Sequence, residues 1–476
     1  MSKLRENHNS LMIEGYNMIN ESFYKGFYGL ERETLRIDCH RRLASTPHPF
    51  NGNDNITKDY CENQLELVTP VCDSIDELMD SLEELDKMVR EAIAKNEESL
   101  WLYSNPPHFE NESEIVIADF TGDLYEKRIY FEKLEKRYGK RLYLLSGVHF
   151  NFSFDDKYLW SIFQGNDFEA FKRNYYLKLY KQLYVHSWML LLLTAASPVY
   201  DRSLTTDGEK GVIRSEYSSI RNSAKGYWNQ FLPVLNLDSY DDFVKSLKCY
   251  MDNGSLYSLA ELYLPVRLKP NGKYSVENLE KGVSHVEFRM FDTNPFEPLG
   301  INRLDLEFTH LLVMYLSTLD DFDLTAELQK QALENHKSAA LYDLSEVKID
   351  GTDILEKADN IIDLAFKSET GQMQKRHQAR VDKDHWDLQF RRKHRCKKSA
   401  ETRSDDQTDF LFSGSCCKSL ENGVRRFGIV INRWCNDGIK SVCLQSTKSG
   451  ILGCAVIAVN VENVHEDPRS YFRYFY

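Results

Sequence analysis

Two glutamates in the segment at residues 29–36, GLERETLR, have the type and spacing that suit metal chemistry. Charged side chains alternate there with leucines at the period of a β-strand, so Glu31 and Glu33 project from the same face. Side chains two positions apart on a strand lie roughly 6.5 to 7 Å apart, close enough for two carboxylates to share one or two divalent cations. A strand with one solvated face shows the same pattern, so this segment alone leaves both interpretations open.

Three further segments place hard ligands or anion-binding side chains on the polar faces of predicted strands. In residues 141–154, apolar side chains alternate with His149 and its polar neighbours, and residues 283–291 alternate in the same way around Glu287. Residues 56–70 are rich in acids. Carboxylates together with phosphate oxygens are the ligands that Mg²⁺ prefers, so the combination favours a metal-phosphate site. The candidates from these segments are Asp59, Glu62, Glu66, His149, Glu287 and Arg289.

Other reactive side chains near these acids are interpreted as structural. Arg32 and Arg36 lie on the strand face opposite the two glutamates, and we expect them to form salt bridges with neighbouring strands. Cys61 lies next to the acids but matches no pattern of a catalytic nucleophile. We therefore leave all three residues out of the site.

The elements that position these residues are alternating strands mixed with helices. Ser74 and Glu77 form a capping-box pattern before a leucine-rich repeat, which predicts an amphipathic helix. Residues 167–196 predict a long buried helix that ends before Pro198. Because strands and helices do not alternate regularly, we expect an α+β domain around an antiparallel sheet. The sequence has no glycine-rich phosphate loop, so metal ions would have to hold any nucleotide.

Composition excludes several classes of protein. The chain of 476 residues is 42% hydrophobic and carries a net charge of -13, which argues against a nucleic-acid partner and makes a polyanionic substrate dependent on metal ions. Its longest apolar run is about half of the roughly 20 residues that cross a bilayer, so we expect no membrane insertion. The ten cysteines form no C-x-x-C pair, which favours reduced thiols and a cytoplasmic protein.

The C-terminal part of the chain differs from the rest. Residues 367–476 are basic, whereas residues 1–366 are acidic, and six of the ten cysteines fall from Cys396 onward. We therefore predict a domain at 1–366, which carries the candidate site, followed by an atypical tail at 367–476. A tail that does not pack as a core and a reading frame shifted near residue 367 are both open interpretations. The cysteine spacing matches none of the usual zinc-ligand pairs.

Nine sequence blocks of this chain match one known family in order over about 300 residues. The blocks are GLERETLR (29–36), LASTPHP (43–49), ITKDYCENQLELVTP (56–70), SGVHFNFS (146–153), NYYLKLY (174–180), ASPVY (196–200), SIRNSAKGY (219–227), ELYLPVRLK (261–269) and VEFRMFDTNPFEPLGI (286–301). Together they resemble the bacterial glutamate-cysteine ligase (γ-glutamylcysteine synthetase) family. The resemblance includes the form that is the N-terminal part of a bifunctional glutathione-synthesising protein.

The resemblance implies a fold and a set of site residues. The fold would be an antiparallel sheet funnel with surrounding helices, of the glutamine synthetase type of carboxylate-amine ligase, with ATP and Mg²⁺ (or Mn²⁺) at one end. The implied metal ligands are Glu31, Glu33, Asp59, Glu66, His149 and Glu287. The implied cysteine pocket comprises Tyr60, Tyr130, Leu134, Arg221, Tyr227, Tyr263 and Arg289. Arg221 and Arg289 would be catalytic, gripping a carboxylate or the transferring phosphate. Tyr143 stands where one relative carries an amide side chain.

The implied activity joins L-glutamate to L-cysteine. ATP would phosphorylate the γ-carboxylate of glutamate, and the cysteine amine would then displace phosphate, the first step of glutathione biosynthesis. The partners would be these three small molecules, and the sequence does not decide the oligomeric state. Because the chain lacks the ATP-grasp domain of the bifunctional relatives, we expect γ-glutamylcysteine as its end product. The alternatives are a related ligase with another amine acceptor and a non-catalytic or truncated relative.

Overall fold

The fold places the predicted ligand-bearing strands in one antiparallel sheet. A computed structural model describes residues 25–50 and 52–367, together with the backbone of two short strands near the C-terminus. The chain divides into two units, Met1–Leu388 and Gln389–Tyr476.

The first unit is organised around a sheet of seven strands. The strands of the unit are β1 Gly26–Ile37, β2 Ile56–Lys58, β3 Gln64–Val68, β4 Ser99–Trp101, β5 Gly147–Phe154, β6 Val199–Asp201, β7 Val212–Arg214, β8 Val266–Lys269, β9 His285–Asp292, β10 Lys348–Ile349 and β11 Thr352–Asp353. The main sheet has the order β2-β3-β1-β5-β9-β8, and β4 also pairs with β1. Its strand pairings are antiparallel. The strands β6 and β7 form one small hairpin, and β10 and β11 form another.

Helices surround this sheet in the first unit. They are α1 Ile75–Ile93, α2 Tyr125–Tyr138, α3 Asp156–Ile162, α4 Phe168–Thr194, α5 Tyr240–Asp252, α6 Val276–Lys281, α7 Arg303–Ser317, α8 Ala326–Ala339 and α9 Ile354–Lys367. The helix α4 packs against β8 and β9 and against the helices α7 and α8. Within the described part of the chain, no helix has both the length and the apolar content needed to cross a membrane.

Two predicted helices are confirmed, the first together with its capping residue. Ser74 is the N-cap of α1, and its side chain accepts a hydrogen bond from the backbone N–H of Glu77. The apolar positions of α1 are buried, as the capping box and leucine period predicted. The long buried helix is α4, which starts at an Asp167 N-cap and ends at Thr194, before Pro198.

The sheet has an apolar face that forms the core and a face that carries the predicted ligands. Val148, Phe150 and Phe152 of β5 are fully buried on the apolar face, and β1 and β9 contribute buried apolar side chains in the same way. On the opposite face Glu33, His149 and Glu287 are buried, with His149 only 3% exposed and Glu287 only 1%, whereas Glu31, Asp59 and Glu66 are half-buried. A fully solvated strand face does not agree with these values, and the burial of charge needs a specific explanation.

Two details of the sequence interpretation are corrected by the structure. The strand predicted within residues 141–154 begins only at Gly147, because Arg141–Leu144 form a 3₁₀ turn. The predicted ion pairs of the two strand arginines exist, but their partners do not lie on strands. Arg32 pairs with Asp86 on α1, and Arg36 pairs with Glu98, which precedes β4.

The predicted α+β class with an antiparallel sheet is confirmed by this architecture. The predicted tail at 367–476 lies outside the described residues except for two strands, β12 Phe427–Val430 and β13 Cys443–Ser446, which pair antiparallel. The boundary between 366 and 367 stays a prediction.

Candidate metal and substrate site

The register of the sheet aligns acidic side chains in one row across neighbouring strands. Glu33 of β1 lies opposite Glu66 of β3, and Glu31 lies opposite His149 of β5. The strand β9 then brings Glu287 alongside β5. Neighbouring strands are about 4.8 Å apart, so side chains at such positions on one face come into contact. Side chains that are far apart in the sequence are thereby gathered in one row.

Three members of the row form a compact group of ligand atoms. One ligand atom from each of Glu31, His149 and Glu287 lies within 4.8 Å of the others. The Nδ1 atom of His149 is 3.2 Å from Oε2 of Glu31 and 3.9 Å from Oε1 of Glu287. Two carboxylates and an imidazole at this separation can coordinate a single divalent cation.

His149 also faces the second half of the row. Its Nε2 atom is buried without a hydrogen-bond partner in the described residues, and it lies 3.6 Å from Oε1 of Glu33. Burial, together with the nearby Arg289, lowers the pKa of His149 to about 4. The imidazole is therefore neutral at physiological pH and can offer a lone pair to a metal.

The second half of the row consists of Glu33, Asp59 and Glu66. Burial and the charge of Asp59 raise the pKa of Glu33 to about 8 and that of Glu66 to about 7, and burial also raises the pKa of Asp59. Oε2 of Glu33 accepts a hydrogen bond from the backbone N–H of Gly147 at 2.8 Å. Three neighbouring carboxylates, of which Glu33 is buried and the other two are half-buried, repel when ionised, and a bound cation would favour their ionised forms.

The charge of Glu287 is balanced by three cations. Arg267, Lys269 and Arg289 each place a nitrogen 3.3 or 3.4 Å from an oxygen of this carboxylate. Burial alone would raise the pKa of Glu287, but Lys269, Arg289 and Arg267 hold it well below its ordinary value. Arg267 and Lys269 were not predicted as site residues. The sequence feature that could have identified them is the alternation of basic side chains along β8.

The two predicted catalytic arginines have different environments. The Nη1 atom of Arg221 donates to the backbone carbonyls of Arg289 at 2.9 Å and of Phe291 at 3.2 Å, so this side chain braces β9 beside the row. Arg289 reaches the row itself, with Nη1 3.3 Å from Oε1 of Glu287. Both arginines line a small cavity together with Tyr227 and Tyr263.

An aromatic wall continues from this cavity. Tyr60 stacks on Tyr143 with ring centroids 4.5 Å apart, and the hydroxyls of Tyr143 and Tyr263 are 3.1 Å apart. The helix α2 contributes Tyr130 and the buried Leu134. Tyr143 therefore makes contacts on both sides within the wall.

Two residues differ from the sequence prediction. Glu62, a predicted candidate, lies outside the row, and Asn151, which was not predicted, contacts it. Glu62 accepts hydrogen bonds from the backbone N–H groups of His48 and Asp119, both at 2.7 Å, and so fixes two loops. Asn151 donates to Oε1 of Glu31 at 3.0 Å. The sequence feature that could have identified Asn151 is its position on the polar face of β5, two residues after His149.

The arrangement joins two kinds of chemistry. A row of carboxylates and one neutral imidazole is a hard donor set that suits Mg²⁺ or Mn²⁺ and, through the metal, phosphate oxygens. The adjoining small cavity combines guanidinium groups, which bind carboxylate or phosphate, with aromatic surface against which an organic group can pack. Such a site fits a small-molecule substrate that carries phosphate or carboxylate groups.

Comparisons with known proteins agree with this geometry. A sequence profile of the family described as "Glutamate-cysteine ligase" matches residues 16–339. The chain is 36% identical over 355 residues to "Glutathione biosynthesis bifunctional protein GshAB" of Listeria innocua, a match that covers 70% of this chain and 46% of that protein. It is 32% identical over 381 residues to the protein of the same name from Clostridium perfringens, covering 74% of this chain and 49% of that protein. The chain thus spans about half the length of these relatives.

Solved structures show the same fold. The structure of a glutamate-cysteine ligase from Francisella tularensis in complex with AMP aligns with a TM-score of 0.65 at 24% identity. The alignment covers 80% of this chain and 90% of that chain. A bifunctional glutathione synthetase from Pasteurella multocida aligns with a TM-score of 0.61 at 24% identity, covering 94% of this chain and 61% of that chain.

Proposed function

The chain belongs to the glutamate-cysteine ligase family, and on that basis we propose that it joins L-glutamate to L-cysteine with the use of ATP. ATP phosphorylates the γ-carboxylate of glutamate, and the cysteine amine then attacks the acyl phosphate and displaces inorganic phosphate. The products are γ-glutamylcysteine, ADP and phosphate, so the reaction is the first step of glutathione biosynthesis. No protein nucleophile is needed, which agrees with the buried position of Cys61.

The observation that supports this proposal most directly is the row of ligands across the sheet, whose members are buried or half-buried. Its members are Glu31, Glu33, Asp59, Glu66, His149 and Glu287, the metal ligands that the sequence predicted. The donor set fits Mg²⁺, with Mn²⁺ as a second candidate, because it is rich in carboxylates and has an unpartnered buried nitrogen on His149. A divalent cation held there would offset the charge of the ATP phosphates.

The other residues orient substrates and stabilise charge. Arg289 lies beside the row and the cavity, where its guanidinium can hold the γ-carboxylate and the phosphate that is transferred to it. Arg221 supports the backbone of β9 at that point and faces the same cavity. The acceptor amino acid would lie against the aromatic wall, and the rings would exclude water from the acyl phosphate. The residues assigned to this acceptor pocket are Tyr60, Tyr130, Leu134, Arg221, Tyr227, Tyr263 and Arg289.

We also propose that the protein acts in the cytoplasm on small molecules. The net charge of -13 disfavours a nucleic-acid partner. The described cysteines Cys39, Cys61, Cys72 and Cys249 are free thiols, as expected in a reducing compartment.

Phosphate release by the purified full-length chain tests the proposal. We expect release to require ATP, Mg²⁺, glutamate and cysteine together, with γ-glutamylcysteine formed in equal amount. The Glu31→Gln variant removes one carboxylate of the compact ligand group, and we expect it to lower kcat/KM by at least about 100-fold. Glu83→Gln is the matched control, because Glu83 is an exposed glutamate on α1.

Other outcomes would select the alternatives. If a different amine formed product as fast as cysteine or faster, that amine would be the acceptor in place of cysteine. A folded protein that binds Mg²⁺ and ATP but releases no phosphate with any amine would be a non-catalytic relative. Full activity of Glu31→Gln would contradict the assignment of the ligand row.

A further inference from the structure

Glu261 is a fully buried carboxylate that lies outside the ligand row. It ends the short 3₁₀ turn Leu259–Glu261 before β8, and its side chain has no exposed surface. Its Oε1 atom accepts from Nη1 of Arg137 at 2.5 Å and from the hydroxyl of Tyr138 at 2.8 Å. Its Oε2 atom accepts from the backbone N–H of Tyr257 at 2.7 Å. Both oxygens are therefore committed to contacts within the protein, which excludes a role as a free acid or base.

The partner Arg137 ties the end of α2 to the chain before the turn. Its guanidinium also donates to the carbonyl of Ser255 at 2.7 Å and to that of Gly254 at 3.1 Å. The guanidinium carbon lies 3.7 Å from the centroid of the Tyr257 ring. A stacked guanidinium with several oriented acceptors holds a fixed geometry that a flexible ammonium group would not.

The helix α2 needs such an attachment because little apolar surface holds it in place. The buried residues of this helix are Phe131 and Leu134. Tyr130, Leu134 and Tyr138 recur every four residues and share one helix face. That face points towards the aromatic wall, since the rings of Tyr138 and Tyr263 have centroids 5.7 Å apart. The position of α2 therefore sets the position of two residues assigned to the acceptor pocket.

A third segment of the pocket is joined at the same point. The Nδ2 atom of Asn229 donates to the carbonyl of Glu261 at 2.7 Å, and its Oδ1 atom accepts from the N–H of Tyr263 at 3.0 Å. The neighbouring Gln230 donates to the carbonyl of Arg137 at 2.8 Å. Tyr227 lies two residues before Asn229. The segments that carry Tyr130, Tyr227 and Tyr263 thus meet at Glu261, the first and last through its carboxylate and the second through its backbone carbonyl.

We propose that Glu261 is a positioning residue that fixes the shape of the acceptor pocket. Its carboxylate holds the end of α2 against the turn at 257–263, to which the segment at 227–230 is joined through backbone carbonyls. The inference rests on the proposed function, because it assigns this pocket to the acceptor amino acid. Removing the carboxylate charge leaves the guanidinium of Arg137 poorly paired, and α2 then shifts or becomes more mobile. Binding of the acceptor weakens, while the ligand row and the sites for glutamate and ATP keep their geometry.

Steady-state kinetics of Glu261→Gln separate positioning from a general structural role. We expect the KM for cysteine to rise by about tenfold or more, while the KM values for glutamate and ATP and the kcat at saturating cysteine change by less than about threefold. Tyr138→Phe removes one hydrogen bond but keeps the ion pair, and we expect a smaller rise in the same KM. Lys136→Gln is the matched control, because Lys136 is an exposed cation next to Arg137 on the same helix. We expect it to leave all three KM values unchanged.

Hydrogen exchange gives a readout that does not depend on the reaction. In Glu261→Gln we expect faster amide exchange at residues 125–138 and 254–263, with exchange in α1 unchanged. A wild type without cysteine-dependent phosphate release would refute the proposed function, and the exchange pattern would still decide whether Glu261 holds these segments. Unchanged exchange in α2, or an equal loss of affinity for all three substrates, would overturn the inference. If Glu261→Gln does not fold, the KM of Tyr138→Phe for cysteine becomes the test. A KM equal to that of the wild type would overturn the inference.

Discussion

Gly147 lies against the guanidinium of Arg221, and a Cβ atom built on this glycine would come 2.3 Å from the Cζ and Nη2 atoms. Real Cβ atoms do not approach other atoms so closely, so one of the two groups must move. The guanidinium has little freedom, because its Nη1 atom donates to the carbonyls of Arg289 and Phe291. The N–H of Gly147 also donates to Glu33. A single methyl group here would therefore disturb both the cavity and the ligand row.

We predict that Gly147→Ala lowers kcat/KM for the proposed ligation by at least about 100-fold, which corresponds to about 2.7 kcal/mol of lost transition-state stabilisation. The physical reason is displacement of Arg221 from β9. Gly29→Ala is the control in the adjacent strand β1, because a Cβ atom at Gly29 would lie 3.6 Å from that of Asn151, an ordinary contact. Similar activity of the two variants would show that the close approach at Gly147 is not needed for catalysis.

At this scale, the sequence could predict which residues face the site but not all of their partners. The period of two in β1, β5 and β9 identified Glu31, His149 and Glu287. Their contacts depend on strand register, and Glu31 and His149 are 118 residues apart in sequence. Lys269 was missed for the same reason, because its contact with Glu287 exists only after β8 and β9 have paired.

At the scale of secondary-structure elements, a buried ion pair connects the ligand-bearing strand β1 to the helix α1. The Nη2 atom of Arg32 is 2.5 Å from Oδ1 of Asp86, and Arg32 has no exposed side-chain surface. Oδ2 of Asp86 also accepts from Nε of Arg90 at 2.5 Å. Removing the carboxylate would leave the charge of Arg32 buried without its anionic partner, which is strongly unfavourable.

We predict that Asp86→Ala lowers the free energy of unfolding by about 3 kcal/mol or more, measured by urea denaturation. Glu91→Ala is the matched control on the same helix, because the pair of Lys87 and Glu91 is exposed with its atoms 4.0 Å apart. We expect that control to change the free energy of unfolding by less than about 1 kcal/mol. Equal effects of the two substitutions would mean that the buried pair does not stabilise the packing of α1 on the sheet.

Elements with a local signal were easier to predict than those fixed by tertiary contacts. The capping side chain of Ser74 and the apolar period define the start and the buried face of α1 without reference to the rest of the chain. Residues 141–144 alternate in type, but they form a 3₁₀ turn in which Arg141 pairs with Glu112 and Asp207. Those ion pairs involve distant segments, so no local pattern could reveal them.

At the scale of the whole molecule, buried histidines link folding to pH. His310 on α7 is 5% exposed and packs edge-on against Tyr28, with Phe152 nearby. Its Nδ1 atom is 3.5 Å from the hydroxyl of Tyr28. Burial lowers the pKa of His310 to about 4. The imidazole must therefore stay neutral in the folded protein, whereas it takes up a proton below pH ~6.5 in the unfolded chain.

The sign of the effect follows from proton binding. Below the unfolded pKa the unfolded chain binds more protons than the folded protein, so the stability associated with His310 is present above pH ~6.5 and is lost as the pH falls towards 4. We predict that wild type loses about 2 kcal/mol more of its free energy of unfolding between pH 7.5 and 5.0 than His310→Gln does. Urea denaturation of both proteins at the two pH values measures this difference. The exposed His40 supplies the control, and His40→Gln should keep the pH dependence of the wild type. Parallel losses in wild type and His310→Gln would show that His310 does not couple protonation to unfolding of the core.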